Sequence, residues 1–213
     1  MCLWTLSDTK DVVTMVLGIL ALIIAYKGLM TWRKQLLGQN KYELSLNVIK
    51  SLRILIDEIE RFRHPMYFAG ELYAAYKEAE QKELDSLDSA EIDKANIHAR
   101  NIRWNKVFLD YTDYDSKMLH LKIILDDYQV DKIGDETMTT LITKLRNSII
   151  DHDHYNRMLR PELHIPQEKR LEYIDLLDKN YKILSKSSPD NEYSKTLEDY
   201  FTIVKDRLKK HLK

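Results

Sequence analysis

The densest group of chemically capable side chains lies in residues 145–154, with the sequence LRNSIIDHDH. Arg146 comes six positions before His152, and each is followed directly by a second polar residue, Asn147 and Asp153. A histidine can act as a general acid or base, and an arginine can stabilise negative charge. The segment therefore contains four candidate functional side chains: Arg146, Asn147, His152 and Asp153.

This segment resembles the Arg-x(4–6)-His motif of HEPN domains, which are all-helical and frequent in bacterial defence and toxin systems. Arg146 and His152 stand at the two defining positions, while Asp151 stands where alanine is common. The resemblance covers about ten residues and implies a metal-independent ribonuclease. In such an enzyme His152 acts as general acid or base on the RNA 2′-hydroxyl and Arg146 stabilises charge on the phosphate, as the catalytic pair, with Asn147 and Asp153 in support. On an ideal helix, a residue six positions further along is rotated by ~240° about the axis, so the two side chains do not share a face. Such a site therefore needs a helix end, a local distortion or a second copy of the chain.

Two other interpretations of the same residues stay open. His152 and Asp153 form the doublet of the HD phosphohydrolases, a helical family whose metal site implies an upstream histidine, such as His120, and a downstream aspartate. Asp175, Asp178 and Asp199 are candidates for that aspartate, and nothing in the sequence singles one out. The plainest interpretation is a solvated polar helix end, because histidine favours the last turn and Arg146 can pair with a neighbouring carboxylate. We expect neither a metal nor a cofactor.

The composition favours an all-helical scaffold for these residues. The 213 residues include five glycines and four prolines, too few for the turns of a β-rich domain or a nucleotide-binding α/β domain. Neither the Gly-x-Gly-x-x-Gly nor the P-loop pattern is present. The single cysteine, Cys2, excludes an internal disulfide framework. The net charge of −1 provides no global field that would recruit nucleic acid.

Residues 12–30, VVTMVLGILALIIAYKGLM, predict a transmembrane helix. Lys27 is the only charged residue in the run, and at about 1.5 Å per residue the helix spans about 28 Å, close to the ~30 Å hydrocarbon core. The run is apolar on all sides, unlike a core helix, and it lacks the basic start and the cleavage site of a signal peptide. Aromatic and basic residues suited to the membrane interface flank or close it: Trp4, Lys27, Trp32, Arg33 and Lys34.

The residues around the span predict its orientation and a packing face. Basic residues are concentrated on its C-terminal side: Lys27, Arg33, Lys34 and Lys41, against Lys10 on the other side. The positive-inside rule then places the N-terminus outside and the large domain in the cytoplasm. Small residues recur at spacings of three and four and form a smooth face for a second helix: Gly18, Ala21, Ala25 and Gly28.

The rest of the chain predicts an antiparallel bundle of about five to six helices. We expect an N-terminal segment of residues 1–36 and a cytoplasmic domain of residues 37–213, with a helix break at Gly38–Asn40. Apolar residues recur with a helical period in six segments: residues 44–62, 69–84, 92–128, 138–149, 171–184 and 197–212. The acidic stretch 82–93 is interpreted as a connection.

A second resemblance concerns the start of this domain. Residues 31–36 (TWRKQL), 41–44 (KYEL) and 62–66 (FRHPM) resemble uncharacterised bacterial proteins with one N-terminal span and a helical cytoplasmic domain. This implies a bacterial inner-membrane setting but no activity. The leading hypothesis is a membrane-anchored module that binds a protein partner or another copy, and the resemblances add a bacterial defence or stress system, phage defence included. The alternative is a membrane-tethered HEPN-like ribonuclease acting on RNA through Arg146 and His152.

Overall fold

The structure, a computed structural model, describes residues 6–64, 89–125, 135–160, 163–185 and 192–212. Within these ranges the chain is helical and contains no β-strand, which confirms the all-helical prediction. The helices are α1 (Leu6–Phe62), α2 (Ser89–Leu125), α3 (Asp135–Met158), α4 (Gln167–Leu184) and α5 (Glu192–Leu208), and a 3₁₀ turn (Lys209–His211) continues α5. The helix expected at 69–84 lies outside the described residues.

The chain divides into two compact units, Met1–Glu43 and Leu44–Lys213. In the first unit, the side chains of residues 10–40 are all exposed. The second unit contains the hydrophobic core.

Helix α1 continues without interruption through Gly38–Asn40, so the predicted break there is wrong. An interior glycine costs only about 1 kcal/mol relative to alanine. No proline accompanies Gly38, so the backbone hydrogen bonds of the helix can continue through it. The side-chain amide of Gln39 also donates to the Glu43 carboxylate one turn later, at 3.0 Å. A lone glycine among helix-forming residues is therefore insufficient to end the helix.

The core of the second unit is built from one side of each of four helices, α1, α2, α3 and α5. On α1 the predicted apolar stripe is confirmed, with five buried members and Leu44 partly buried: Val48, Leu52, Leu55, Ile59 and Phe62. The stripe predicted for the last helix is also confirmed: Leu197, Tyr200, Val204 and Leu208 are buried. Since these positions recur every three or four residues, each helix keeps a polar side for solvent.

Helix α4 departs from the prediction. Of the five residues expected in the core, Leu171, Ile174 and Tyr181 are 63%, 50% and 48% exposed, and α4 has no buried residue. The other two, Leu177 and Leu184, are partly buried, and Leu184 packs against the core. The helix packs instead against α3, where the rings of Tyr173 and Tyr155 lie 5.4 Å apart. Helix α4 has two rows of apolar residues, one containing Leu171 and Ile174 and the other containing Tyr173. The row containing Tyr173 packs against α3.

Two smaller predictions on α2 are also wrong. In the predicted core stripe of α2, Met118, Leu121 and Leu125 are buried, but Phe108 is 54% exposed. Val107 and Tyr114, which the prediction left out, are buried in the same helix. The predicted connection at 82–93 extends too far, since α2 already begins at Ser89. Acidic residues in the first turns of a helix are favoured by its dipole, so Glu91 and Asp93 are compatible with helix there.

Just past the end of α1, a buried guanidinium joins it to two other helices. Arg63 donates through Nε to the Ile183 carbonyl at 2.6 Å and through Nη1 to the Glu60 carboxylate at 2.9 Å and to the Ser194 hydroxyl. Its guanidinium also lies over the Tyr193 ring, 4.8 Å from the centroid. Burial lowers the pKa of Arg63, and the Glu60 carboxylate acts in the opposite direction. These contacts hold the C-terminus of α4 and the first turn of α5 against the end of α1.

Candidate functional site

Helix α3 positions both residues of the candidate catalytic pair. Its core side is marked by Met138, Leu141 and Leu145, all buried. His152 follows Leu145 by seven positions, which on a helix of 3.6 residues per turn returns it to nearly the same side. Its side chain is accordingly only 27% exposed. Arg146, about 100° around the helix from Leu145, is exposed.

The surroundings of His152 come from its own helix. The Asn156 side-chain amide lies 3.0 Å from His152 Nδ1 and 3.3 Å from Nε2, and Nδ1 is 3.8 Å from the Asp153 carboxylate. The Asn156 amide is within hydrogen-bond distance of the imidazole, whereas the 3.8 Å to the Asp153 carboxylate is too long for a hydrogen bond. Polar groups of α3 thus lie beside His152, where a general acid or base needs them.

The arginine that the structure brings to this group is Arg100 of α2. Its Nη2 donates to Asp153 Oδ2 at 2.6 Å, and both side chains are partly buried. Burial acts to raise the pKa of the Asp153 carboxyl, but the neighbouring His152 and the charge of Arg100 outweigh it, so the pKa is lowered. Asp153 therefore stays ionised at neutral pH and acts as the counterion of Arg100. Sequence reasoning missed Arg100, because residues 53 positions apart carry no local pattern that pairs them.

Helix α3 does not bring Arg146 and His152 onto one face. It is α-helical from Asp135 to Met158, so neither a distortion nor a helix end separates the two positions. A site that uses both side chains therefore needs a second copy of the chain. Asn147, the proposed supporting residue, is also exposed.

A shallow depression of about 520 Å³ lies beside α3. It includes Asn147 but neither Arg146 nor His152, and all of its lining residues belong to α3: Thr139, Thr140, Thr143, Lys144, Asn147, Ser148 and Asp151. Among the described residues, then, the depression has no facing wall from another helix that could exclude water from a reacting group, and no partner there for Asn147.

The candidate metal ligands are spread over different elements. His120 is exposed on α2, whereas His152 and Asp153 are on α3. Of the downstream aspartates, Asp175 and Asp178 form ion pairs with lysines of α4. Among the described ranges of the chain, no three histidine, cysteine or acidic side chains come together to hold a metal ion.

The residues expected at the membrane interface lie on α1, with one exception. Lys27, Trp32, Arg33 and Lys34 are exposed, and Trp4 lies outside the described residues. The small residues Gly18, Ala21, Ala25 and Gly28 are exposed too. A Cβ built on Gly18 or Gly28 would meet nothing within 4 Å. Helix α1 is long and apolar enough to cross a membrane. Its most apolar stretch has a mean hydropathy of 2.2, and none of that stretch is buried.

Comparison with protein-family models, with curated proteins and with solved structures finds no match to this chain.

Proposed function

We propose that the chain is a single-pass membrane protein whose α1 anchors a helical, cytoplasmic protein-interaction module to a bacterial inner membrane. The observation that carries the proposal is the exposure of residues 12–30. Every side chain there is exposed, and Leu22 and Ile24 each reach 71%. A contiguous apolar surface of this length is unfavourable in water but suited to the hydrocarbon of a bilayer. The helix is also long enough to span it.

The distribution of basic residues supports the cytoplasmic placement of the second unit. Arg33, Lys34 and Lys41 follow the span, and all three belong to α1. Lys10 alone precedes it. Basic residues close to a span are retained on the cytoplasmic side during insertion.

The exposed apolar row of α4 supports the interaction role. Leu171, Ile174 and Tyr181 are 48–63% exposed, although α4 packs against α3 through its other apolar row. Scattered apolar side chains are normal on a surface, but a row along one helix forms a ridge suited to another protein. In this proposal the ridge contacts a partner protein or another copy of the chain, in a bacterial defence or stress setting.

The chain's single cysteine offers a direct test of anchoring and orientation. Cys2 is expected to react with a membrane-impermeant maleimide in intact spheroplasts. In the variant Cys2→Ser/Glu168→Cys, the new thiol on the exposed start of α4 is expected to react only after permeabilisation. The reverse pattern would overturn the orientation. Loss of the protein from carbonate-washed membranes would overturn the anchor itself.

The interaction role is tested by photo-crosslinking from the surface of α4. A photoreactive residue at Leu171 or Ile174 is expected to give a discrete adduct, whereas the same residue at Lys169 or Glu172, also exposed on α4, is not. An adduct of twice the chain's mass identifies a second copy. Equal yields at all four positions, or no adduct at any, would contradict a docking role for this row.

The ribonuclease alternative has its own measurement. We expect cellular RNA to stay intact when the wild type is induced, as it does with Arg146→Ala/His152→Ala at matched protein level. RNA cleavage by the wild type alone would replace the interaction module with a nuclease. It would also require the two side chains to meet between copies, since they lie on different sides of α3.

A further inference from the structure

The C-terminal end of α5 and the 3₁₀ turn after it form a basic surface. Four of its side chains are exposed and positively charged, Lys205, Arg207, Lys209 and Lys210, and we name this set the basic end. Asp206 is the only acidic residue in 205–212. The chain as a whole carries a charge of −1, so this positive charge is a local feature.

Contacts between α5 and α1 show where in the second unit the basic end lies. Near the start of α5, Ser194 receives a hydrogen bond from Arg63, at the end of α1. Further along α5, Glu198 pairs with Arg53 at 3.1 Å, and the same guanidinium lies 5.6 Å from the Phe201 ring centroid. Residue numbers rise along α5 as they fall along α1, so the two helices are antiparallel. The basic end therefore lies toward the beginning of the second unit, near Leu44.

Helix α2 gives the same result independently. In its first half, Arg103 donates to the carbonyls of Arg61 and His64, at the end of α1. In its second half, the Tyr114 hydroxyl meets the Tyr200 hydroxyl of α5 at 2.7 Å. Helix α2 therefore runs away from the end of α1, parallel to α5.

Leu44 is also the point at which the chain leads toward the proposed membrane span. Thirteen residues separate Met30 from Leu44. The opposite end of the second unit, with α4, has no such short covalent connection to the span.

We propose that the basic end binds anionic phospholipid headgroups of the membrane in which α1 is anchored. The inference rests on the proposed anchoring. Clustered lysines and arginines held close to a bilayer are attracted to its negative surface potential, over a distance of about 8 Å at physiological ionic strength. Four exposed basic side chains supply the charge, and they lie at the end of the second unit that thirteen residues join to the proposed span. RNA also presents phosphates, but nothing tethers it to this end of the unit.

The binding is tested on the full chain reconstituted into nanodiscs of phosphatidylcholine, with or without 30% phosphatidylglycerol and with a headgroup-labelled acceptor lipid. On a Cys2→Ser background, a donor fluorophore is placed at Thr202→Cys beside the basic end, or at Glu168→Cys on α4; both positions are exposed. We expect energy transfer from Thr202→Cys to rise at least twofold with phosphatidylglycerol, and to fall back in 0.5 M salt. Transfer from Glu168→Cys is expected to change less than the Thr202→Cys signal.

Two charge variants decide which residues are responsible. Lys205→Gln/Arg207→Gln/Lys209→Gln/Lys210→Gln is expected to abolish the rise at Thr202→Cys. The matched control Lys169→Gln/Arg170→Gln/Lys179→Gln/Lys182→Gln removes the same charge from exposed positions of α4 and is expected to retain it. Circular dichroism establishes that both variants are folded.

Each remaining outcome has a distinct meaning. The lipid contact is overturned if the wild type enters nanodiscs but energy transfer from Thr202→Cys does not rise with phosphatidylglycerol. It is also overturned if the rise survives in the four-glutamine variant of the basic end. Both results leave the anchor unaffected. Wild type that fails to enter nanodiscs overturns the anchor, and the lipid contact with it. Tight binding of a uridine oligonucleotide, lost in the basic-end variant and unaccompanied by lipid-dependent transfer, assigns the surface to RNA instead.

Discussion

Helix α1 contains two segments of equal length, residues 12–30 and 44–62, whose apolar side chains have opposite surroundings. In the first, every side chain is exposed. In the second, the apolar side chains at helical spacing are buried in the protein core, while Arg53 and Asp57 on the other side remain exposed. The first segment is apolar on all sides and the second on one side only. The arrangement of apolar residues around the helix, more than their number, thus distinguishes a segment suited to lipid from one suited to a protein core.

The largest effect is expected at the buried charge that ends the core-facing segment. Arg63→Ala should lower the free energy of unfolding by about 3–5 kcal/mol, because the partly buried Glu60 carboxylate loses its positively charged partner and keeps the Ser194 hydroxyl. Chemical denaturation of the full chain in detergent measures this. The control is Arg53→Ala, which breaks a half-exposed pair with Glu198 and should cost under about 1 kcal/mol. Equal losses in the two variants would show that Arg63 is not buried as described.

The two segments of α1 are compared directly by making one substitution in each. Leu52→Ala should lower the free energy of unfolding by about 2–5 kcal/mol, because Leu52 is fully buried and its removal leaves a cavity. Leu20→Ala, at a side chain that is 49% exposed, should change the same quantity by less than about 0.5 kcal/mol. A large loss from Leu20→Ala would mean that residues 12–30 pack against protein, contrary to the proposed anchor.

A charge in the first segment separates anchoring from folding. Leu20→Arg places an arginine near the middle of the span, at a cost of about 2.5–3.5 kcal/mol for insertion. We expect the fraction of protein in carbonate-washed membranes to fall, while the near-ultraviolet circular dichroism of the second unit is unchanged. Gln39→Arg, on the same helix and also exposed but outside the span, should leave the membrane fraction as it is. An unchanged fraction in Leu20→Arg would contradict a spanning role for α1.

The same comparison explains which parts of the fold could be predicted from the sequence. The core stripe of α1 was predictable because its apolar residues occupy a single side, so only one orientation buries them. The orientation of α4 was not predictable, because Leu171 and Ile174 form one apolar row and Tyr173 belongs to another. Which row packs depends on α3, through the contact between Tyr155 and Tyr173, and a single helix sequence does not contain that information.

The candidate site shows the same limit. Helix periodicity correctly indicated that Arg146 and His152 lie on different sides of α3, since both positions belong to one regular helix. The pairing of Asp153 with Arg100 joins two helices 53 positions apart and depends on how α2 and α3 pack. Local patterns reach only as far as one helix turn or two, so the sequence identified the α3 members of the cluster and missed the α2 member.

The smallest expected effect lies between the two segments, at Gly38. Because α1 is continuous there and a Cβ at Gly38 would meet nothing within 4 Å, Gly38→Ala should stabilise the helix locally by about 0.5–1 kcal/mol. Amide hydrogen exchange of residues around Gly38 should then slow by roughly two- to fivefold, measured in nanodiscs by mass spectrometry. The control is Gly28→Ala inside the proposed span, where a Cβ also has open space but the amides are shielded by lipid, so exchange should not change. A helix that breaks at Gly38 in a left-handed conformation would give the opposite sign, since alanine is strained there and exchange would accelerate. The sign of this small change therefore decides whether the segment suited to lipid and the segment suited to the protein core belong to one helix or to two.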